Sequence, residues 1–308
     1  MKQILLICAA MVLLGCGKKA PEQQANVPDA NPPAKPKVEL TEATLTPGME
    51  AALEADEAGN YREAVRLYTV ELAAEEAKPA PSWVQLSYLH NQLGRALHNA
   101  GQYDKALEHF QKALAIDLKQ LGPEHPDVAT SYNNIGSVHD KKGEYDKALG
   151  HYQKSLAIRL KQLGPEHPDV AISYNNIGSV HYNKGEHDKA LEHFQKSLAI
   201  WLKQLGPEHP DVATSYNNIG LAHDNKGEYD KALGHFQKSL AIWLNQLGPE
   251  HPDVAQSYTN MAFVYKAKKD LPKAKEYWEK AYAIYLKKLG SNHPYTKGTK
   301  GQLDALKE

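Results

Sequence analysis

The sequence predicts an all-α protein, a solenoid of antiparallel helix pairs. The stretch Ser131–Ala171 recurs almost unchanged from Ser173 and again from Ser215. A tyrosine near the start of each copy marks a regular period, at Tyr132, Tyr174, Tyr216 and Tyr258. Periods of about 20 to 50 residues are typical of stacked repeats. Within a copy, apolar residues recur three and four positions apart, the spacing of one helix face.

The copy that follows His167 shows how one pair is built. A proline and an acidic residue introduce a first helix, helix A, over about 170–184, because both suit a helix N-terminus. Gly185 ends helix A, and a second helix, helix B, runs over about 186–205. The small residues Gly178 and Ala190 lie where the two helices must approach closely. The prediction is therefore a helical hairpin in every copy.

This spacing resembles the tetratricopeptide repeat. In that repeat a large residue is followed by Leu-Gly and a second large residue on helix A, and by alanine and an aromatic ring on helix B. The pattern appears in five copies, as His90/Gly94/Phe110, Tyr132/Gly136/Tyr152, Tyr174/Gly178/Phe194, Tyr216/Gly220/Phe236 and Tyr258/Ala262/Trp278. The 42-residue length and the junction Leu-Gly-Pro-x-His-Pro-Asp-Val-Ala resemble the kinesin-light-chain type of this repeat. The resemblance implies a tetratricopeptide superhelix and suggests no motor-associated role.

Five segments follow from this pattern. Residues 1–15 are predicted to be a lipoprotein signal peptide, and 16–47 a lipidated cysteine followed by a disordered, proline-rich tether. Residues 48–87 form a degenerate first repeat, and 88–294 hold five tetratricopeptide repeats. Residues 295–308 are predicted to be a C-terminal capping helix, since the ends of repeat arrays differ from the middle.

The N-terminus indicates a cellular location. A short basic start precedes the apolar run Ile4–Leu14, which is too short to span a bilayer but suits a secretory signal. It ends in Leu13-Leu14-Gly15-Cys16, which resembles the lipobox of bacterial lipoproteins. The resemblance implies that Cys16 becomes the lipidated first residue, with the protein anchored in the cell envelope, on the outer membrane facing the periplasm in a Gram-negative organism. The alternative is an ordinary signal peptide with an incidental cysteine.

Composition excludes several functions. The formal charge of −1 gives no field that favours nucleic acid. Both cysteines, Cys8 and Cys16, lie near the N-terminus, so a disulfide framework or a cysteine nucleophile is excluded downstream. The chain has no phosphate loop, nucleophile elbow or HExxH motif. We therefore expect no catalytic residue and no cofactor.

The 15 histidines do not predict a metal site. Most are copies of a few repeat positions, such as the junction histidines His125, His167, His209, His251 and His293. Equivalent positions in neighbouring repeats lie about two helix diameters apart, too far for one ion with bonds of about 2 Å.

The candidate binding residues lie on helix A, which the resemblance places on the concave face. An asparagine recurs there at Asn91, Asn133, Asn175 and Asn217. The kinesin-light-chain type uses this asparagine to contact bound peptide, and an amide side chain can pair with a peptide backbone. The alternative is that these asparagines only solvate the face or bond neighbouring helices.

The same face changes character along the chain. Polar residues, Ser137 and Ser179, give way to Leu221 and Phe263, and Tyr182 lies further along helix A. This variation predicts that specificity resides there, although neutral drift would produce it too.

One helix-B position holds Asp117, Arg159, Trp201, Trp243 and Tyr285 in successive repeats. The two charged residues indicate a position that tolerates water, so Trp201 and Trp243 are candidates for an exposed aromatic interface. The alternative is that each tryptophan packs under the following repeat.

Together these features predict a membrane-anchored scaffold that binds a protein or an extended peptide. Two further classes stay open from the sequence. One is a lipoprotein that binds cell-wall glycan through Trp201 and Trp243, and the other is an enzyme or enzyme subunit.

Overall fold

The computed structural model describes residues 45–306. The predicted signal peptide, Cys16 and almost all of the tether lie outside the described residues. Within 45–306 there are thirteen helices and no strand. The helices are α1 (Pro47–Glu57), α2 (Tyr61–Glu76), α3 (Trp83–Asn99), α4 (Tyr103–Leu121), α5 (Pro126–Lys141), α6 (Tyr145–Leu163), α7 (Pro168–Asn183), α8 (His187–Leu205), α9 (Pro210–Asn225), α10 (Tyr229–Leu247), α11 (Pro252–Ala267), α12 (Leu271–Leu289) and α13 (Pro294–Asp304). None of these helices is long and apolar enough to cross a membrane.

The described chain forms two compact units, which divide within α7 between Val180 and His181. In the first unit α1 packs with α2, α3 with α4 and α5 with α6, and each of α2 and α4 also packs against the helix that follows it. In the second unit α9 packs with α10 and α11 with α12, and α13 packs on α12. The predicted all-α fold of antiparallel helix pairs is confirmed.

Glycine on helix A lets the two helices of a pair approach closely at Gly94, Gly136 and Gly220, as the repeat pattern predicts. A Cβ atom built on Gly136 would lie 2.8 Å from the ring of Tyr152, and one on Gly220 would lie 2.6 Å from Phe236. Both distances are shorter than normal carbon contacts, so any side chain there would force the helices apart. The ring of helix B therefore packs directly on the backbone of helix A.

The turn between the two helices of a pair needs a left-handed residue. Gly143 supplies it with a φ of 73°, in a region that only glycine enters freely. Lys269 takes the equivalent place in the last repeat with a φ of 63°, the one positive φ at a residue other than glycine within 45–306. The last repeat therefore carries a strained turn.

The junction histidines begin the odd-numbered helices from α5 onwards. The Nδ1 atom of His209 accepts a hydrogen bond from the backbone N–H of Asp211 at 3.2 Å, and His125, His167, His251 and His293 form the same contact. A helix leaves its first four N–H groups unpaired, and this contact satisfies one of them. The conformation of the His-Pro-Asp junction is thus explained by helix capping.

Candidate functional site

The asparagines predicted to bind peptide lie on α3, α5, α7 and α9. Their side chains are largely buried, with exposed fractions of 3% for Asn91, 3% for Asn133, 9% for Asn175 and 8% for Asn217. A ligand would therefore reach only the edge of each amide. The hydrogen bonds that each amide already makes within the protein decide which of its polar atoms remain for a ligand.

A second asparagine, the next residue along each helix, bonds back to the first asparagine of the preceding repeat. The Nδ2 amide of Asn176 donates to the Oδ1 atom of Asn133 at 2.9 Å. Asn260 donates in the same way to Asn217 at 2.8 Å, and Asn134 to Asn91 at 3.4 Å. We call these linked amides the asparagine ladder. Bonding between neighbouring helices is the alternative that the sequence left open for these asparagines, and the ladder shows such bonds.

The ladder leaves an unused donor on two of the first asparagines. The carbonyl oxygens of Asn133 and Asn217 already accept a bond from the next repeat, and no residue within 45–306 accepts a hydrogen bond from their Nδ2 amides. The amide of Asn91, in contrast, donates to the backbone oxygen of Ser87 at 3.2 Å. At Asn133 and Asn217, an N–H pair is therefore held in a fixed orientation on helix A.

In the first unit, the residues beside the ladder are polar and mostly paired. Arg95 forms an ion pair with Asp56, with 2.8 Å between Nη2 and Oδ2, and both side chains are 6% exposed. Ser137 is half-buried and lies 3.2 Å from the Nε2 atom of His98. Ser179 is buried and donates to the backbone oxygen of Asn175 at 2.9 Å. Of the predicted serines, Ser137 is the more accessible.

In the second unit, the corresponding residues are apolar or aromatic. Leu221 is buried, and Tyr182 is buried with its hydroxyl accepting a hydrogen bond from Asn225 at 2.5 Å. Burial raises the pKa of Tyr182 to about 12. Phe263 is half-buried and meets the ring of Trp278 edge-on at 5.4 Å. Phe263 is thus the predicted apolar residue with the most accessible surface.

The helix-B position of Asp117 and Arg159 is not open to water, which corrects the sequence-based expectation. Both side chains are only 1% exposed. Asp117 accepts hydrogen bonds from Ser87 at 2.5 Å and Ser131 at 3.0 Å, and burial raises its pKa. We call the position shared by Asp117, Arg159, Trp201, Trp243 and Tyr285 the joint position, because Asp117 bonds helix A of its own repeat and of the next.

Arg159 is accommodated by different contacts at the joint position. Its Nη1 atom donates to the backbone oxygen of Asp169 and to the hydroxyl of Ser173, each at 2.9 Å. Burial lowers the pKa of Arg159. Polar groups in the helix A that follows therefore let a charge occupy a core position.

The prediction of an exposed tryptophan interface is consequently wrong for Trp201, which is 7% exposed. Trp243 is half-buried, and Tyr285 at the same position is 1% exposed and donates to Gln256 at 3.3 Å. The physical reason is the location of the joint position between successive helices A. The alternative of tryptophan packing between repeats agrees with these burials.

Across 45–306, no three His, Cys, Asp or Glu side chains come together as a metal site.

Several ion pairs link one repeat to the next. Lys142 bonds Asp104 at 2.6 Å, and Lys226 bonds Asp188 at the same distance, each joining one repeat to the one before it. Such surface pairs contribute little to stacking, because water and salt screen them.

Comparison with known proteins agrees with this architecture. A search of curated protein sequences gave no match. Among solved structures, BtubC of P. vanneervenii superposes with a TM-score of 0.64 at 23% identity, covering 76% of this chain and 94% of BtubC. A putative kinesin light chain of Podosopora anserina, with nearly identical TPR-like repeats, gives a TM-score of 0.58 at 27% identity over 66% of this chain and 97% of that protein. The apo form of RapI gives 0.64 at 18% identity, over 88% of this chain and 73% of RapI.

The family comparison covers most of the helical region. A tetratricopeptide repeat model matches residues 85–161, 139–182, 169–243 and 225–287, which together span 85–287. The helix pairs, the glycine against the aromatic ring and the regular tyrosine period all occur in that span. The chain therefore belongs to the tetratricopeptide repeat family.

Proposed function

We propose that this protein is a scaffold that binds an extended peptide segment of a partner protein on its helix-A face. Tetratricopeptide repeats are typical of protein–protein interaction scaffolds. The observation that carries the finer proposal is the asparagine ladder, which leaves the Nδ2 amides of Asn133 and Asn217 as oriented donors.

The ladder defines what the face would recognise in a peptide. The Oδ1 atoms of Asn133 and Asn217 each already accept one hydrogen bond, so the fully unused groups of these amides are the N–H donors. An extended peptide presents carbonyl oxygens at regular intervals, and these are the groups such donors would bind. Backbone recognition of this kind supplies affinity with little dependence on peptide sequence.

Selectivity would come from the neighbouring side chains. In the first unit, Ser137 offers a hydroxyl, whereas in the second unit Phe263 offers an aromatic edge. A segment bound by the first unit would therefore carry polar residues, and a segment bound by the second an apolar residue. The glycan-binding alternative loses its main support, because Trp201 is buried.

We also propose that the scaffold is held on a bacterial membrane through lipid on Cys16. The order of basic start, apolar run, small residue and cysteine supports this proposal. About 30 residues between Cys16 and α1 would reach at most roughly 90 Å if extended at ~3.1 Å per residue. That reach would keep the repeats clear of the bilayer surface.

Site-specific photo-crosslinking of the full chain in intact cells tests the binding face. A photoreactive amino acid replaces Ser137 in one variant and Phe263 in another, and Gln153 on the exposed face of α6 is the matched control. We expect protein adducts from the first two positions and none from Gln153. Equal labelling from Gln153, or no protein adduct from Ser137 and Phe263, would overturn the proposal.

A further inference from the structure

Three successive repeats place one histidine ring flat against another between helix A and helix B. The ring centroids of His139 and His151 are 5.4 Å apart with 13° between the planes. His181 and His193 are 5.5 Å apart at 7°, and His223 and His235 are 5.4 Å apart at 13°. We call these the His–His stacks.

The helix-A histidine of each stack touches a carboxylate in the turn. The Nδ1 atom of His139 lies 2.7 Å from Glu144, that of His181 2.8 Å from Glu186, and that of His223 2.6 Å from Glu228. Hydrogen bonds from Lys147 and His139 lower the pKa of Glu144 to about 2. The carboxylate of Glu144 therefore persists in mild acid beside the helix-A ring.

The helix-B histidines of the first and third stacks, His151 and His235, have no such carboxylate. Burial, the neighbouring His139 and Lys154 lower the pKa of His151 to about 4, and the same causes, with His223 and Lys238, act on His235. Their Nδ1 atoms are buried without a hydrogen-bond partner in the described part of the chain. In the second stack, burial likewise lowers the pKa of His193.

In the described part of the chain, the charged groups around the first and third stacks give the helix-B ring no carboxylate partner. Around the first stack they are Glu144 and Lys142 in the turn, Lys147 and Lys154 on α6, Tyr132 on α5, and Asp104 on α4, which bonds Lys142. Around the third they are Glu228, Lys226, Lys231, Lys238, Tyr216 and Asp188. Around the second they include Glu186, Lys184, Lys189, Glu192 and Lys196. The turn glutamate faces the helix-A ring in each case, and in the second stack Glu192 is paired with Lys196.

The last repeat supplies a natural comparison. Tyr265 and Tyr277 occupy the two stack positions, with centroids 5.4 Å apart and 10° between the planes. The geometry is the same, yet neither phenol gains a proton in mild acid. Any acid response that arises from the stacks should therefore spare α11 and α12.

We propose that the His–His stacks form an acid-operated latch, in which protonation of the buried helix-B ring loosens helix A from helix B. A partly buried imidazolium without a carboxylate partner is disfavoured, whereas neutral rings pack.

The sign of the effect follows from the helix-B histidines. The folded pKa of His151 and His235 lies below the ordinary value of 6.5, so the unfolded or loosened state binds protons more readily. The stability contributed by the neutral rings is complete above about pH 6.5 and is lost as the pH falls towards about 4. The middle repeats should thus open before the last one does.

Hydrogen exchange measured by mass spectrometry on the full chain tests this order. After correction for the intrinsic effect of pH, we expect exchange in α5, α6, α9 and α10 to rise at least about tenfold between pH 7 and pH 4.5, with α11 and α12 changing much less. Helix α11 has the same histidine cap, at His251, as α5 and α9 have at His125 and His209, so α11 also controls for changes at the helix caps.

A variant that copies the last repeat separates the stacks from other acid effects. His151→Tyr, His193→Tyr and His235→Tyr are combined in one chain. Between pH 7 and pH 4.5 the melting temperature of the parent should fall further than that of the variant. We expect the two decreases to differ by at least about 5 °C. Equal acid sensitivity of parent and variant, or equal loosening of α11 and α12 in the parent, would overturn the proposal. If the variant does not fold, the exchange pattern of the parent alone decides.

Discussion

The Nδ2 amide of Asn176 donates a hydrogen bond to Oδ1 of Asn133 at 2.9 Å, joining helix A of one repeat to helix A of the preceding repeat. The two residues are 43 positions apart, one more than the repeat length. A pair of adjacent asparagines in successive copies is therefore sufficient to generate a ladder that ties the repeats together. The ladder both stabilises stacking and orients the donors of the proposed binding face.

Removal of one member should show the stabilising role. Asn133→Ala leaves the buried amide of Asn176 without its acceptor, so we expect the free energy of unfolding to fall by about 1–3 kcal/mol. Urea denaturation followed by circular dichroism measures the change.

The control for the ladder is Asn245→Ala, because this exposed amide bonds Glu208 at the surface. A surface substitution of this kind should change stability by at most about 0.5 kcal/mol. Equal losses in the two variants would contradict the ladder's contribution.

Close approach of the helices predicts opposite effects for two glycines of one helix pair. Gly136→Ala would place a methyl group 2.8 Å from the ring of Tyr152. Overpacking of this kind should lower the free energy of unfolding by about 1–3 kcal/mol. Gly150→Ala has nothing within 4 Å of the new methyl group and lies within α6. Alanine in a helix interior should raise the free energy of unfolding by about 0.5–1 kcal/mol.

Thermal melts of these two glycine variants should therefore shift in opposite directions. If Gly136→Ala raised the melting temperature, the prediction would be wrong, because α5 and α6 would then accommodate the methyl group without losing stability.

At the joint position, Ser87→Ala removes one of the two hydroxyl donors to Asp117. Loss of a buried hydrogen bond of this kind should lower the free energy of unfolding by about 1–2 kcal/mol. Burial raises the folded pKa of Asp117 above 3.8, so its contribution to stability is largest below that pH and declines as the pH rises through the folded value. A hydroxyl donor stabilises the ionised carboxyl, so urea denaturation should show a larger loss at pH 7 than at pH 4.

The matched control for that variant is Ser155→Ala. Ser155 is buried, and its hydroxyl finds no partner in the part of the chain that the structure describes. Ala113 occupies the same position one repeat earlier. We expect Ser155→Ala to be neutral or slightly stabilising. A loss similar to that of Ser87→Ala would indicate a packing effect of serine removal, unrelated to Asp117.

Helix capping by the junction histidines can be tested at His209. His209→Ala removes the acceptor for the backbone N–H of Asp211. A lost N-cap lowers the free energy of unfolding by about 0.5–2 kcal/mol. His209→Asn retains a side-chain acceptor and should recover most of that loss. Chemical denaturation of the two variants at pH 7.5 makes the comparison, and equal losses would show that the imidazole acts through packing.

The lipid anchor is tested by two cysteine substitutions. Cells fed radioactive palmitate should label the parent chain, and Cys16→Ser should abolish both the label and sedimentation with membranes. Cys8→Ser is the control, because Cys8 lies within the segment that would be cleaved away. Retained labelling in Cys16→Ser would refute lipidation at this residue.

The fold was predictable because its determinants are local and repeated. The glycine of helix A and the aromatic ring of helix B recur at fixed spacing, and the structure brings Gly136 against Tyr152 as that spacing requires. A glycine or proline marks most helix ends, so the helix limits also follow from the sequence. The predicted start of helix A near 170 compares with Pro168 in the structure.

The site was less predictable because its chemistry depends on pairs that are distant in sequence. Asp117 and Arg159 were expected to be exposed because charged side chains are rarely buried without partners. Their partners lie in other helices, at Ser87, Ser131 and Ser173. Later repeats have alanine at the position of Ser87. This difference was the one sign in the sequence that Asp117 has a hydroxyl partner that the later joint-position residues lack.

The joint position holds different residues in most of these near-identical repeats, and Trp201 and Trp243 are the one repeated pair. A carboxylate that requires two serines, a guanidinium that requires a backbone oxygen and a serine, and then aromatic rings succeed one another along the chain. A repeat docked one place out of order, or borrowed from a second molecule, would bury a charge beside the wrong partners. Copies that are almost identical elsewhere therefore differ here, and Asp117 and Arg159 each depend on polar partners at their own place in the chain.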